Sequence, residues 1–246
     1  GSGTFAGLYL LSCSCATGEL VLDGASFTAT TGTYVVDGLL HVVNGATLNT
    51  GELIADEHGI VHVDGVGSIL TVTGGTYIGY YEHAGLAIDN GGVLNSQDIA
   101  EIFSEDPGTS PVAVSGAGSR WNISDTLALG DAGYDGVGVL YIYDGGTVQV
   151  TNGVTIASGS TLEIGNDSLF GTLDTPTVVN DGEIHSDFSD SGTLAADISG
   201  TGSLTHYDGT FTLSGTNTYT GVTTIDGGTL LVNGSLTGTT TTVNTG

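Results

Sequence analysis

VDGVGSILTV at Val63–Val72 returns as VSGAGSRWNI at Val114–Ile123, and a glycine follows each copy at the same distance, Gly79 and Gly130. The same offset carries GLAIDNGGVLNS (Gly85–Ser96) onto GVLYIYDGGTVQV (Gly138–Val150) with a small insertion. Around these copies a shorter phrase recurs, apolar residues alternating into Asn-Gly or Asp-Gly: LHVVNG at Leu40–Gly45, VHVDG at Val61–Gly65, LYIYDG at Leu140–Gly145 and LLVNG at Leu230–Gly234. Each reads as a short strand running into a turn. Asn-Gly and Asp-Gly also mark hairpins, but a hairpin needs two strands close together about each turn. Here like phrases return at intervals of about one coil, the spacing of a chain that stacks phrase upon phrase. The expected fold is therefore all-β, a right-handed parallel β-helix running through residues 1–246 as one unit. At about 22 residues per rung it makes about eleven rungs and a rod of about 50 Å. His41 and His62 hold equivalent places in consecutive phrases and are expected one rung apart, about 4.8 Å.

Composition agrees with that fold. Glycine occupies 43 of 246 positions, and each would cost about 1 kcal/mol relative to alanine inside a helix. Three prolines and a 39% hydrophobic content exclude a collagen-like or proline-rich disordered chain. Inward strand positions supply stacked Val, Ile and Leu; outward positions carry Thr, Ser, Asn and Asp, and Thr suits an exposed strand without any ligand. One Lys or Arg against 27 Asp and Glu gives a formal net charge of -26. Arg120 is the lone cation, so phosphate neutralisation and adsorption to anionic lipid are both excluded. The charge is read as a solvating surface. Cys13 and Cys15 are too few for a disulfide framework or a structural zinc site, and no nearby cation lowers either thiol pKa. The absence of methionine and the Gly1-Ser2-Gly3 start fit a processed or cloned fragment.

GTFTLSGTNTYTGVTTIDGGTLLVNGSL (Gly209–Leu236) resembles the passenger-associated repeat of Gram-negative autotransporters. Val114–Asn166 is similar to a second phrase common in those passengers, and the segment after Val178 is similar to the lead-in to the C-terminal repeat. The resemblance implies a β-helical passenger secreted through the outer membrane and displayed on the cell surface, with its membrane-anchoring β-barrel elsewhere in a longer protein. The LSGTNTYTG core marks the secretion route rather than the task, because passengers with this repeat include adhesins, aggregation factors, proteases and esterases.

Catalytic chemistry finds little footing. A polysaccharide lyase needs basic residues to neutralise a uronate, and Arg120 beside Trp121 reads as packing or a structural salt bridge. Asp187 and Asp190 are near enough in sequence for a hydrolase pair, yet they also read as a solvated acidic turn. There is no Gly-x-Ser-x-Gly elbow. His58 and His62 are expected on one face of a strand, with His41 stacked near His62, but an outward histidine ladder is the ordinary reading and no metal or cofactor is assigned. GNDSLFG (Gly165–Gly171) resembles half of a calcium-binding nonapeptide repeat in a single copy. Thr28 with Thr30, and Thr216 with Thr218 and Thr220, lack the fixed interval that an ice-binding ladder requires.

Two stretches break the rung pattern. YIGYYEHAG brings together Tyr77, Tyr80, Tyr81, Glu82 and His83, aromatic rings with acidic neighbours that suit sugar or protein recognition. IAEIFSEDPGTSP reads as a protruding loop bearing Glu101, Glu105 and Asp106. These eight residues are the candidate ligand-binding set. The expected function is that of a non-enzymatic adhesin, or of a self-associating aggregation or biofilm factor. Its partner would be a host-surface or matrix glycan or protein, or a passenger on a neighbouring cell; nucleic acid and direct membrane insertion are not expected. The alternative is a structural stalk that presents another domain.

Overall fold

Alternation, glycine corners and repeated phrases lead to three parallel sheets that wind about one core. The computed structural model describes residues 2–11, 18–79, 82–104, 110–130 and 136–244. Among them there is no helix, and the strand ladders are parallel throughout. As far as Glu183–Leu194 the chain visits the three sheets in turn, so that strands three apart in sequence are hydrogen-bonded neighbours. The first sheet has eight strands, from Ser2–Phe5 to Thr172–Asp174; the second has nine, from Leu8–Leu11 to Asp197–Ser199; the third has twelve and runs from Gly18–Asp23 to Thr241–Val243. Thr216–Asn217 and Ser235–Leu236 add a small fourth ladder. The solenoid makes about ten turns, close to the eleven expected. Rungs are longer than 22 residues in the middle, where Ser110 registers with Gly138, and shorter at the end, where Thr223 registers with Thr241.

Inward side chains form columns because parallel registry places each rung's apolar position over the last. One column runs Leu48, Leu70, Leu94, Trp121, Val148, Leu173 along the first sheet. Another runs Leu40, Val61, Leu86, Val112, Leu140, Leu162, Ile184, Leu204 along the third. Nearly all are fully buried, and each such side chain contributes about 1.5–3 kcal/mol relative to exposure. Trp121 takes an aliphatic position in its column, and its indole N–H donates to Ser96 Oγ at 3.0 Å. Packing is therefore the structural role of the Arg120-Trp121 pair; Arg120 itself is exposed at the strand edge.

The 51-residue repeat spans two turns, since Val63 registers with Ile88 and Ile88 with Val114. The reason lies at the corner from the third sheet to the first. Alternate rungs turn through Gly-x-Gly-Ser, and in each the serine hydroxyl accepts the N–H of a glycine one rung earlier: Ser68 from Gly45 at 3.1 Å, Ser119 from Gly91 at 3.0 Å. The intervening rungs turn through Asn44-Gly45 and Asn90-Gly91, whose asparagines have φ of 54° and 49°, a left-handed conformation that Asn tolerates. Asn-Gly thus turns the coil rather than a hairpin.

The motif Gly209–Leu236 has a structural cause at each distinctive position. Tyr219 is fully buried and its hydroxyl pairs with Thr223 Oγ1 at 2.7 Å. Asn217 Nδ2 donates to the carbonyls of Gly215 and Ser235, tying two rungs together. A Cβ at Gly215, Gly221 or Gly234 would lie 2.0–2.1 Å from a carbonyl oxygen of the rung before, so only glycine lets the coils approach.

Candidate functional site

Outward positions repeat by column as the inward ones do, and they give the three faces different chemistry. The first face carries a polar column, Thr28, Asn49, Thr71, Asn95, Asn122, Gln149, Asp174, within which Asn122 donates to Asn95 at 2.8 Å and Gln149 to Asp174 at 3.1 Å. Only Thr28 and Thr71 of this column are threonine, which breaks the flat array that ice binding requires.

The second face carries Tyr9, Tyr34, Ile54, Tyr77 and Glu101 in one column. Tyr9 and Tyr34 stack at 4.8 Å with rings 4° apart, and Tyr9 is 59% exposed. Each tyrosine follows a glycine by two residues: Gly7, Gly32 and Gly75. A Cβ at these glycines would meet the tyrosine ring at 2.8, 2.9 and 2.4 Å respectively. The Gly-x-Tyr unit therefore lays an aromatic ring flat along the backbone. Tyr34 donates its hydroxyl to Glu52 Oε2 at 3.0 Å, and that bond holds the phenol pKa above its ordinary value.

The second and third faces meet at the corner where the candidate residues gather. Most rungs have few residues between the strands that flank it, Asp37 alone or residues 181–182, whereas three consecutive rungs have six, seven and eight, between Ile78 and Gly85, Ile102 and Ser110, and Leu129 and Gly138. The loops are laced together where described. Phe103 N–H donates to Ile78 at 3.0 Å, Ser104 and Val137 exchange backbone bonds of 3.0 and 3.1 Å, and Ala84 N–H reaches Ser110 Oγ at 3.1 Å. Tyr77 and Glu101 are registered neighbours on the strands of the second face that lead into this corner. Glu82 is anchored by its N–H to the buried Asp56 carboxylate at 2.9 Å. Beside it, His83 packs on His58 with ring centroids 4.1 Å apart, while His58 Nδ1 lies 3.6 Å from Asp37 and 3.7 Å from Glu82. Of the described candidates, Glu82 and His83 thus stand together at the corner with His58, and Tyr77 and Glu101 stand together on the second face beside it. Tyr80, Tyr81, Glu105 and Asp106, like Cys13 and Cys15, lie outside the described residues.

Two expectations need correction. His58 is not on a strand with His62; it sits in a turn with φ of 69°, after Glu57 at 46°, and so meets His83 instead. Glu101 is not in a protruding loop; it stands on the strand Ala100–Ile102, in register with Tyr77, because the apolar alternation of the rung continues through Ile102. His41 and His62 are registered partners, with rings 5.1 Å apart.

Elsewhere on the third face, His62 Nε2 lies 3.0 Å from Asp89 Oδ2, and Asn90 Nδ2 donates to Asp64 at 2.8 Å and to Asp89 at 3.2 Å. The Asn90 bond holds the Asp64 pKa below the usual carboxylate range, while burial pushes that of Asp89 up. His185 is bracketed by Glu163 at Nδ1, 3.1 Å, and Glu183 at Nε2, 3.2 Å; the Glu163 bond raises its pKa. Asp190 accepts the backbone N–H of Phe170 at 2.9 Å, a structural task, and burial raises the pKa of Asp187. The GNDSLFG segment forms a bulge where register shifts between Gly165 and Ser168.

Residues 207–232 match the family model described as passenger-associated-transport-repeat, over the stretch where the sequence resemblance lies. No curated relative matches the chain. A solved structure of a TibC-catalysed hyper-glycosylated TibA fragment aligns with 98% of this chain and 100% of its own, at 14% identity and a TM-score of 0.22; a score that low bears on neither fold nor function.

Proposed function

We propose that this chain, which carries a passenger-associated transport repeat, is a surface-displayed autotransporter passenger that works by attachment rather than catalysis. The observation that carries this reading is that three consecutive rungs place their longest inter-strand segments at one corner of the rod, beside the tyrosine column of the second face. A rigid scaffold with its irregular segments gathered in one place is the arrangement by which loops present binding groups. Flat aromatic rings bordered by Glu82, Glu101 and the corner's hydrogen-bonding groups suit a glycan or a polar protein surface. The surface carries strong negative charge, so like rods repel at long range, and self-association would rest on short-range contacts at this corner and along the asparagine-rich first face.

Beads coated with the chain test both modes at once, through clumping of bead with bead and adhesion of beads to an epithelial cell layer. Tyr77→Ala combined with Glu101→Gln is expected to reduce whichever of the two occurs at least fivefold while leaving the far-ultraviolet circular dichroism unchanged. Full adhesion and full clumping by that variant would remove the corner as the binding site.

A further inference from the structure

The third face holds a cluster that the attachment reading does not use. His62 and Asp64 lie two apart on the strand Ile60–Asp64, so their side chains leave the same side of the sheet, and Asp89 is the registered partner of Asp64 on the next rung. One ligand atom from each of the three lies within 4.8 Å of the other two. The group is accessible without being loose: the His62 and Asp89 side chains are 27% and 28% exposed. Asn90, fixed at its Asn-Gly corner, donates to Oδ1 of both carboxylates, which leaves Asp89 Oδ2 turned toward the imidazole.

We propose that His62, Asp64 and Asp89 form a binding site for a divalent d-block cation of the zinc type, with Asn90 as its positioning residue. One imidazole nitrogen and two carboxylate oxygens supply three ligands, and solvent supplies the fourth, the make-up of an open tetrahedral site. Zinc to nitrogen and oxygen distances of about 2.0–2.2 Å put tetrahedral ligands about 3.3–3.5 Å apart, so the observed 3.0 Å between His62 and Asp89 has to open only slightly. The borderline nitrogen ligand favours zinc over calcium or magnesium, which take oxygen. Asn90 acts as an outer-shell group that orients both carboxylates. His185 shows by contrast what a site needs. Its two glutamates approach opposite ring nitrogens, so no single point is within reach of all three groups.

Zinc binding to the whole chain, measured by competition with a chromophoric chelator near pH 7, tests the assignment. One saturable site is expected. His62→Gln and Asp89→Asn should each weaken it at least ~100-fold, and Asn90→Gly, which keeps the left-handed corner but deletes the amide, about 10-fold or more, in line with the cost of losing outer-shell support. His185→Asn should leave the affinity unchanged. His62, Asp89 and His185 point outward and Asn90 is at an exposed corner, and unchanged circular dichroism verifies that each variant is folded. With cobalt in place of zinc, a tetrahedral visible spectrum that disappears in His62→Gln would support imidazole ligation. The proposal is overturned by the absence of a saturable site, by equal loss in His185→Asn, or by displacement of zinc by equimolar calcium.

Discussion

Replacing Ser96 by alanine isolates the polar contact that holds the single tryptophan. Ser96 is 1% exposed, accepts the Trp121 indole N–H at 3.0 Å and pairs with Thr76 Oγ1 at 2.8 Å. Ser96→Ala removes no apolar packing; it leaves the indole N–H buried without its acceptor and deprives Thr76 of one partner. An orphaned buried donor costs about 1–3 kcal/mol. The Thr76 hydroxyl can rotate, so its share is smaller, and the expected total is about 2 kcal/mol. For a chain of this length that corresponds to a fall in melting temperature of about 4–8 °C. The assay is urea and thermal unfolding followed by far-ultraviolet circular dichroism, run as a double-mutant cycle with Trp121→Phe. In the Trp121→Phe background no indole N–H remains to be orphaned, so Ser96→Ala should then cost about 1 kcal/mol less. Equal cost in both backgrounds would refute the idea that the hydroxyl holds the indole, as would a cost below about 0.5 kcal/mol in the unsubstituted chain.

Two further outcomes concern the third face and the terminal repeat. The folded pKa of His185 is raised, principally by its bond to Glu163. Its stabilising contribution is therefore complete below the unfolded value of about 6.5 and is lost as pH rises through the folded value. His185→Asn should lower the urea midpoint at pH 5.5 and have progressively less effect toward pH 9, and a pH-independent difference would contradict this. Tyr219→Phe keeps the buried ring and deletes its bond to Thr223, whose hydroxyl retains Thr239 at 2.9 Å; calorimetry should show a loss of about 1 kcal/mol, against about 3–5 kcal/mol for Tyr219→Ala.

Much of the coil was legible because its corners are written in residues with few other uses. Asn44-Gly45, Gly65-x-Gly67-Ser68 and their copies announce where the backbone turns, and the spacing between them gives the rung. Registry follows from the corners, which is why the stacking of His41 on His62 could be anticipated. What escaped notice depends on rungs of unequal length. The three described Gly-x-Tyr units start at 7, 32 and 75, an irregular series because Ile54 takes the tyrosine position on the rung between Tyr34 and Tyr77. His62 and Asp89 stand 27 residues apart and meet because their rung is longer than 22 residues, with Ile60 in register with Gly85. The length of the segment between the strands Thr126–Leu129 and Gly138–Tyr143 escaped because its Gly and Asp content reads as one more turn, and His58 was misplaced because two successive left-handed residues take it off the strand.

Parallel registry between successive turns also says how such a chain reaches its native state. Partners in neighbouring strands are separated by 18 residues at Thr223 and Thr241 and by 28 at Ser110 and Gly138, roughly a tenth of the chain length. That relative contact order belongs with helical bundles rather than with β-sandwiches. Instead of one long closure, ordering requires a succession of short ones of similar entropy. Once a single turn exists, its exposed ladder is a template on which the next can be laid, so assembly can keep pace with a polypeptide that becomes available from one end.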